Sequence, residues 1–427
     1  MNSPALSLTP WRRDAGVIGL VSLAHAVSHF SQLLLAPLFP WLKDAFAVSY
    51  TELGFLLTIF FVTSCIVQAL SGFWVDRHGP RPILFAGLAL LGCAALGYAM
   101  SHSYAMLAIS SVVAGTGNGV FHPVDYTLLN RRIGKARLGH AYSAHGISGS
   151  LGWAAAPAIL VPIALASSWR VALAFAAGLA FAVLALLWMK RDLLTMDLAA
   201  QPAAPSPAQA GARSAAPTAA PTATTSTPAE GSLDFLKIPA VWMCFAFFFF
   251  YAAVLSIVQS FAPEAARQLH AVPAPLAAMC LTVYMLCSAG GAVFGGFLAT
   301  DPERSERVVG VAFALAATIS LLIGFASLPA LAVPVLFGAM GFCSGMSGPS
   351  RDLLDKRSTP DNASGRVYGV VYAGLDIGQA VVPLLVGWLM DHQAWRSVWL
   401  AVAILQGVLI VNAFNVRRVR RTTLVPA

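Results

Sequence analysis

The sequence predicts an all-α membrane protein with about twelve spanning helices, and two features of its composition lead to this fold class. Hydrophobic residues make up 58% of the 427 residues and charged residues only 10%, whereas a soluble globular protein carries about 25% charged residues. Apolar runs of roughly 20 residues, the length needed to cross a 30 Å hydrocarbon core, recur along the whole chain. Such a chain cannot be an ordinary soluble domain.

The runs are the predicted membrane spans. They lie near residues 16–38, 51–75, 82–101, 104–128, 139–163, 169–189, 238–262, 274–299, 307–327, 331–354, 364–390 and 394–416. The first run is too long and too polar for a cleaved signal peptide, and no small-residue cleavage site follows it. All of the runs are therefore expected to stay in the mature protein.

The distribution of lysine and arginine predicts the orientation. If the N-terminus is placed in the cytoplasm, 22 of the 26 basic residues fall on the cytoplasmic side. The exceptions are Lys43, Arg170, Arg267 and Arg396. This asymmetry is the positive-inside pattern, and it predicts a multi-pass protein of the cytoplasmic (inner) membrane with both termini in the cytoplasm. Because it also accounts for the net charge of +8, we expect no nucleic-acid partner.

The first span carries polar residues on one helical face, among them His25, His29 and Gln32. Ionisable side chains inside a span are costly unless they face protein or water. They either line a cavity that binds substrate or relays protons, or they form hydrogen bonds between helices. Both interpretations stay open at this point.

The second span ends in the most specific motif, SGFWVDRHGPRP at residues 71–82. It is similar to the Gly-x-x-x-Asp-Arg-x-Gly-Arg loop of the major facilitator superfamily, and the chain resembles that family over its full length. The resemblance implies two pseudo-symmetric six-helix halves and a transport function. It also implies that the loop braces the halves when the cytoplasmic side is closed. The residues of this gate would be Gly72, Asp76, Arg77, Gly79 and Arg81.

The fourth span contains a polar stretch. At helical spacing, one face carries Ser111, Gly115, Asn118, His122 and Asp125. We expect Ser111 and Asn118 to line a cavity, and His122 and Asp125 to lie nearer the gate. Gly115 and Gly119 predict close contact with another helix.

The fourth and fifth spans also bear on the branch of the family. Proton-coupled drug antiporters of the superfamily carry an arginine where this chain has Ser111. The Val-Phe-His-Pro run at 120–123 resembles the fosmidomycin-resistance branch. The fifth span places His145 on a face with glycines, a partial match to the glycine- and proline-rich motif of the antiporters. Export and uptake therefore both remain possible.

An internal repeat predicts two halves. With an offset of 226, residues 115–191 align with residues 341–417, matching Gly119 with Gly345 and Trp169-Arg170 with Trp395-Arg396. Such parallel halves are typical of rocker transporters with a site between them. Residues 195–235 are rich in Ala, Pro, Ser and Thr and predict a disordered cytoplasmic linker. The predicted domains are 1–194 and 236–427, on either side of this linker.

The second half supplies the remaining candidates. Under the offset of 226, Arg351 is the counterpart of Asp125. We expect the two side chains either to pair across the halves or to lie separately at the membrane–water interface. Asp376 is the most deeply placed acid, with Tyr372 and Gln379 at helical spacing. It is the first candidate for proton coupling or for binding a cationic group, the alternative being an acid satisfied by its neighbours. Glu264, at the outer end of span seven, is expected to be hydrated.

These features predict a secondary transporter of a small organic compound, working by alternating access and most simply by proton-coupled export. The alternatives are a proton-coupled uptake symporter for a small metabolite, a transport-inactive sensor, and a polytopic membrane enzyme. The sequence contains no nucleotide-binding loop, metal-binding motif or hydrolase motif. We therefore expect no cofactor, no metal and no enzymatic activity, with protons, a small molecule and the lipid bilayer as partners of a monomer.

Overall fold

The protein is a bundle of α-helices, described by a computed structural model over residues 10–195, 239–298, 305–350 and 364–423. The helices of the first half are α1 (Pro10–Gln32), α2 (Phe39–Phe46), α3 (Tyr50–His78), α4 (Pro80–Ala99), α5 (Tyr104–Asn118), α6 (Phe121–Arg132), α7 (Leu138–Ala166) and α8 (Trp169–Met189). Those of the second half are α9 (Pro239–Ser260), α10 (Ala262–His270), α11 (Ala274–Leu298), α12 (Ser305–Phe325), α13 (Ala332–Met346), α14 (Ser364–Asp391) and α15 (Trp395–Thr423).

Eleven segments of the described residues are long and apolar enough to cross a membrane. The span predicted at 331–354 is represented by α13, which ends at Met346 before a turn at Ser347. The predicted fold class, a polytopic all-α protein, is confirmed. The linker predicted at 195–235 lies almost wholly outside the described residues, so the domain boundaries remain a prediction.

Local sequence explains where several helices begin. Ser49 caps α3, and Glu52 completes a reciprocal capping box with it. Ser168 accepts a hydrogen bond from the backbone of Val171 at the start of α8. The Trp-Arg pairs noted in the repeat mark matching positions, because α8 begins at Trp169 and α15 begins at Trp395.

Glycines set the packing within each half, and they do so at equivalent positions. A Cβ atom on Gly115 would lie 2.4 Å from the carbonyl oxygen of Phe60, and one on Gly341 would lie 2.2 Å from that of Tyr284. Helix α5 can therefore lie directly against α3, and α13 against α11, as the Gly-x-x-x-Gly spacing predicted. The repeat is thus visible in the packing as well as in the sequence.

The side of the membrane on which α1 begins is here called the N-terminal side. Asp14 of α1 pairs there with Arg137, at 2.8 Å. Arg81, at the start of α4, donates a hydrogen bond to Thr195. The turn between α3 and α4 requires Gly79, whose φ of 80° is unfavourable for other residues.

The two halves meet on the opposite side, where α3 packs along α14. Asp391 of α14 accepts hydrogen bonds from the backbone nitrogens of Tyr50 and Thr51 at 2.7 and 2.9 Å. Deeper in the interface, Thr58 donates to the carbonyl of Ala380. A second seam joins α7 to α11, where Thr282 donates to the carbonyl of Ala154.

Candidate functional site

A break in the fourth span positions the central polar residues. Helix α5 ends at Asn118, a turn follows at Gly119 and Val120, and α6 begins at Phe121. Pro123 has no N–H group to donate to the carbonyl of Gly119, so the helical ladder cannot continue through this point. Interrupted helices of this kind commonly form the binding sites of transporters. Here the break lies between Asn118 and His122.

Above the break, toward the opposite side, lies a polar network centred on Asn118. Its side-chain oxygen accepts hydrogen bonds from Ser28 at 2.8 Å and from Gln32 at 3.2 Å. Its amide nitrogen donates to Ser64 of α3. Gln32 in turn accepts from the indole of Trp153 at 3.0 Å. The network ties four helices together, α1, α3, α5 and α7, around a buried amide.

Below it lies what we call the histidine cluster: His25, His29, His122, Asp125 and His145. The ring of His25 stacks on that of His145, with centroids 3.6 Å apart. Both face the same carboxylate oxygen: His25 Nδ1 and His145 Nε2 each lie 3.1 Å from Asp125 Oδ2. Asp125 has no exposed surface, and His25 and His145 are almost fully buried.

His29 links the network to the cluster. Its ring stacks on Trp153 at a centroid distance of 4.3 Å and lies 4.2 Å from the ring of His25. Its two ring nitrogens are buried and lack a hydrogen-bond partner, as does Asp125 Oδ1. Buried polar atoms without partners are uncommon in proteins. They mark this cluster as a place that is able to bind something besides its own side chains.

The cluster opens toward the N-terminal side through His122, which is only partly buried. Its ring lies 6.3 Å from that of Tyr126, which is 45% exposed. Tyr126 also contacts His145, at 5.4 Å between ring centroids. A ligand or a proton therefore has a short route from the surface to the buried carboxylate.

Asp376 lies apart from the cluster, at the interface of the halves. It accepts a hydrogen bond from Gln68 of α3 at 3.2 Å, and the Cys65 thiol lies beside it. Gln379, one turn further along α14, is buried. This acid is therefore held by the other half of the protein rather than by neighbours on its own helix.

The structure brings together most of the site residues predicted from the sequence. His25, His29, Gln32, Asn118, His122, Asp125 and His145 form one continuous group. Asp376 and Gln379 lie elsewhere, on α14. Arg351 and the side chain of Tyr372 lie outside the described residues. The pairing of Asp125 with Arg351 therefore remains a prediction, although Asp125 contacts histidines of its own half.

Two expectations are wrong. Ser111 does not line a cavity, because it is fully buried and accepts a hydrogen bond from Tyr98 of α4 at 2.9 Å. Glu264 is not freely hydrated, because it is only 9% exposed and accepts two hydrogen bonds from Arg267. Those bonds raise the pKa of the Arg267 guanidinium above its usual value. Helical periodicity places a residue on a face, but it does not say what that face contacts.

Two residues of the loop motif are exposed, whereas Gly79 is buried and Gly72 and Arg81 are partly buried. Asp76 and Arg77 both lie on the surface at the end of α3, and a Cβ atom on Gly72 would meet nothing within 4 Å. Four residues that make these polar contacts were not predicted from the sequence: Ser28, Ser64, Gln68 and Trp153. Ser64 and Gln68 lie one helical turn apart on α3, a spacing that could have identified them. Trp153 is an aromatic residue in an apolar run and carries no such signal.

Comparison with known proteins identifies the family. A family model described as "Major Facilitator Superfamily" matches residues 21–350 and 256–426. The chain is similar to the fosmidomycin resistance protein of Escherichia coli K12, with 27% identity over 37% of this chain and 39% of that protein. It is also similar to the membrane sensor protein UhpC of Salmonella typhimurium, with 25% identity over 43% of this chain and 41% of that protein.

These alignments span about two fifths of each relative. The fold is matched more completely. A bacterial homologue of the human lysosomal transporter Spinster, solved in an inward-facing and occupied conformation, superimposes with a TM-score of 0.75 at 13% identity. The superposition covers 96% of this chain and 98% of that one. This multi-pass membrane protein belongs to the Major Facilitator Superfamily.

Proposed function

We propose that the protein is a secondary active transporter that moves a small organic compound by alternating access, coupled to protons and directed outward. The observation that carries the proposal is the asymmetry of contacts between the halves. On the opposite side they are joined through Asp391 and through Thr58. On the N-terminal side the residues of the loop motif, Asp76 and Arg77, are exposed. One end is joined, while at the other end Asp76 and Arg77 are exposed among the residues that the structure describes. This arrangement supports one of the two states that alternating access requires.

With the termini in the cytoplasm of the cell, as the positive-inside pattern predicts, this state is open to the cytoplasm. The polar network and the histidine cluster are then the substrate and proton pathway of the first half. Asp376 and Gln379 provide the second half's contribution. A compound entering from the N-terminal side would meet Tyr126 and His122 first.

Export is favoured by the likeness to the fosmidomycin resistance protein. Proton coupling is assigned to Asp376, because a carboxylate at the contact between the halves changes its surroundings whenever the halves move apart. Its hydrogen bond with Gln68 joins α14 to α3, so this bond depends on how the two halves are placed. Protonation of the carboxylate would weaken this bond, so the proton and the movement of the halves are linked.

The test uses everted membrane vesicles that contain the full chain, with fosmidomycin as the first probe and a panel of small organic acids after it. We expect uptake into the vesicles that depends on an imposed pH gradient. Asp376→Asn should abolish gradient-dependent accumulation, whereas Asp44→Asn, at an exposed acid of α2, should leave it unchanged. Full proton-driven accumulation by Asp376→Asn would contradict the assignment of coupling to Asp376.

Two alternatives are distinguished in the same vesicles. The serine at position 111, where the antiporters of the family carry an arginine, favours uptake by proton symport. In that case accumulation requires the opposite gradient or right-side-out vesicles. The likeness to the sensor UhpC favours a protein that binds a ligand without moving it. Binding that raises the thermal stability of the purified protein, with no flux under either gradient, would support the sensor. Chemical turnover of a probe in detergent would instead indicate an enzyme.

A further inference from the structure

We propose that His25, Asp125 and His145 form a binding site for a divalent transition-metal ion of the zinc class. The three residues come from three different helices, α1, α6 and α7, and all are buried. Each offers one ligand atom, and the three atoms lie within 4.8 Å of one another. This site goes beyond the proposed transport function and does not depend on it.

The distances from the ring nitrogens to the carboxylate oxygen fit metal coordination, whereas the stacked rings of His25 and His145, with centroids 3.6 Å apart, must separate for both to bind one ion. In a tetrahedral zinc site with bonds of about 2.0–2.1 Å, neighbouring donor atoms lie about 3.3 Å apart. His25 Nδ1 and His145 Nε2 each lie 3.1 Å from Asp125 Oδ2. His25 Nδ1 lacks the alignment of a hydrogen bond to that oxygen. In a tetrahedral site the lone pair of a ring nitrogen points at the ion, roughly 35° away from the line that joins this nitrogen to the neighbouring donor atom.

The surrounding atoms can complete such a site. Asp125 Oδ1 and both ring nitrogens of His29 are buried and without hydrogen-bond partners. His29 lies beside His25, with 4.2 Å between ring centroids. Its nitrogens are free to coordinate an ion directly or to hold a water molecule bound to it. Side chains that bond a ligand of the ion, without binding the ion themselves, orient the ligands of most metal sites in proteins.

The donor set selects the class of ion. Two imidazole nitrogens with one carboxylate oxygen suit Zn²⁺, Co²⁺, Ni²⁺ or Cu²⁺, whereas Mg²⁺ and Ca²⁺ prefer sites made of oxygen alone. Three protein ligands leave a fourth position for water or for an oxygen atom of a bound compound. The partly buried His122, beside the exposed Tyr126, gives the ion a path to the surface.

The experiment uses the purified full-length protein in detergent, stripped with a chelator and titrated with Zn²⁺ by calorimetry. We expect one ion per chain. Co²⁺ in place of Zn²⁺ should give the intense visible absorption of a four-coordinate complex. His145→Ala and Asp125→Asn should each weaken binding at least about 10- to 100-fold, since even the loss of a residue that only supports a ligand has an effect of that size. His140→Ala, an exposed histidine on the same helix, should bind like the unaltered protein.

The proposal is overturned if the unaltered protein binds Zn²⁺ no more tightly than the two variants, or if His140→Ala weakens binding equally. A six-coordinate Co²⁺ spectrum would overturn it as well. That spectrum needs no substitution, so it decides the question even if a variant fails to fold. The metal site and the proposed transport function can fail separately. Transport in vesicles without Zn²⁺ does not contradict the metal site, and Zn²⁺ binding does not by itself support or contradict transport, which the vesicle experiment tests.

Discussion

At the scale of single residues, Gly149 determines how the histidine cluster packs. It lies on α7 against α1, and a Cβ atom there would approach the His29 ring to 2.7 Å and His25 Nε2 to 3.0 Å. A glycine is therefore required for the rings of His25 and His29 to lie this close to the backbone of α7. Any larger residue must push His29 away from Trp153, whose ring it contacts. The positions of the His25 and His29 rings therefore depend on the space that the missing side chain of Gly149 leaves.

Gly149→Ala should therefore perturb transport. The added methyl group overpacks the site, at a cost of about 1–3 kcal/mol, and displaces His29. We expect a lower rate of proton-driven flux in vesicles, with the protein still folded. Gly146→Ala is the matched control on the same helix, because a Cβ atom there meets nothing within 4 Å. Equal rates in the two variants would show that the position of His29 does not matter for transport.

At the scale of helices, pairs of glycines replace the large side chains that separate helices in soluble proteins. On α13, a Cβ atom at Gly345 would lie 1.9 Å from the carbonyl oxygen of Ser288 on α11, so the two backbones are nearly in contact. In lipid the hydrophobic effect between helices is weak, and close packing of this kind supplies much of the association energy. The equivalent glycine of the first half, Gly119, approaches Ser64 in the same way.

Gly345→Ala should lower the stability of the second half. The methyl group cannot fit, so α11 and α13 must separate, and we expect a loss of at least about 1–3 kcal/mol. The measurement is the midpoint of thermal unfolding in detergent. Gly290→Ala on α11 is the control: a Cβ atom there meets nothing within 4 Å. Because alanine favours helix over glycine by up to about 1 kcal/mol, this control should be neutral or stabilising. A midpoint for Gly345→Ala at or above that of the control would contradict the account.

At the scale of the whole molecule, one of the contacts that close the opposite side is an acid placed at a helix start. Asp391, the last residue of α14, accepts from the backbone nitrogens of Tyr50 and Thr51 and from the Thr51 hydroxyl at 2.6 Å. The first backbone N–H groups of a helix have no partners of their own, and the helix dipole favours a negative charge there. Asp391, which belongs to the other half of the protein, supplies the hydrogen-bond acceptor and the negative charge.

Asp391→Asn should shift the protein toward the state that is open on the opposite side. Hydrogen bonds to a charged group contribute about 1.5–3 kcal/mol, so we expect the population of that state to rise roughly 10- to 100-fold. Spin labels or thiol-reactive probes placed on α3 and α14 at that side would report the separation. Glu52→Gln is the control, because the Glu52 carboxylate accepts from Ser49 at the same helix start and these hydrogen bonds do not cross between the halves. An unchanged distance distribution in Asp391→Asn would show that Asp391 does not hold the halves together.

The sequence by itself determined the class of fold and the repeat. Runs of apolar residues predict spanning helices because every backbone polar group must be satisfied inside lipid, and only a few structures do so. The glycines at 115 and 119 predicted close helix contacts, and the structure has them there and at Gly341 and Gly345, their counterparts in the repeat. The histidines of α1, α6 and α7 were recognisable as candidates because ionisable groups are rare in spans.

Only the tertiary structure decided which of those candidates meet. His25, Asp125 and His145 lie on three different helices, and helical spacing places residues on a face without saying which faces are neighbours. For the same reason Ser111, though on the polar face of its span, packs against Tyr98 instead of a cavity. The contact of Asp391 with the start of α3 was equally hidden, since it exists only where two halves meet. Periodicity is a local property of one helix, whereas a site is made by the packing of several.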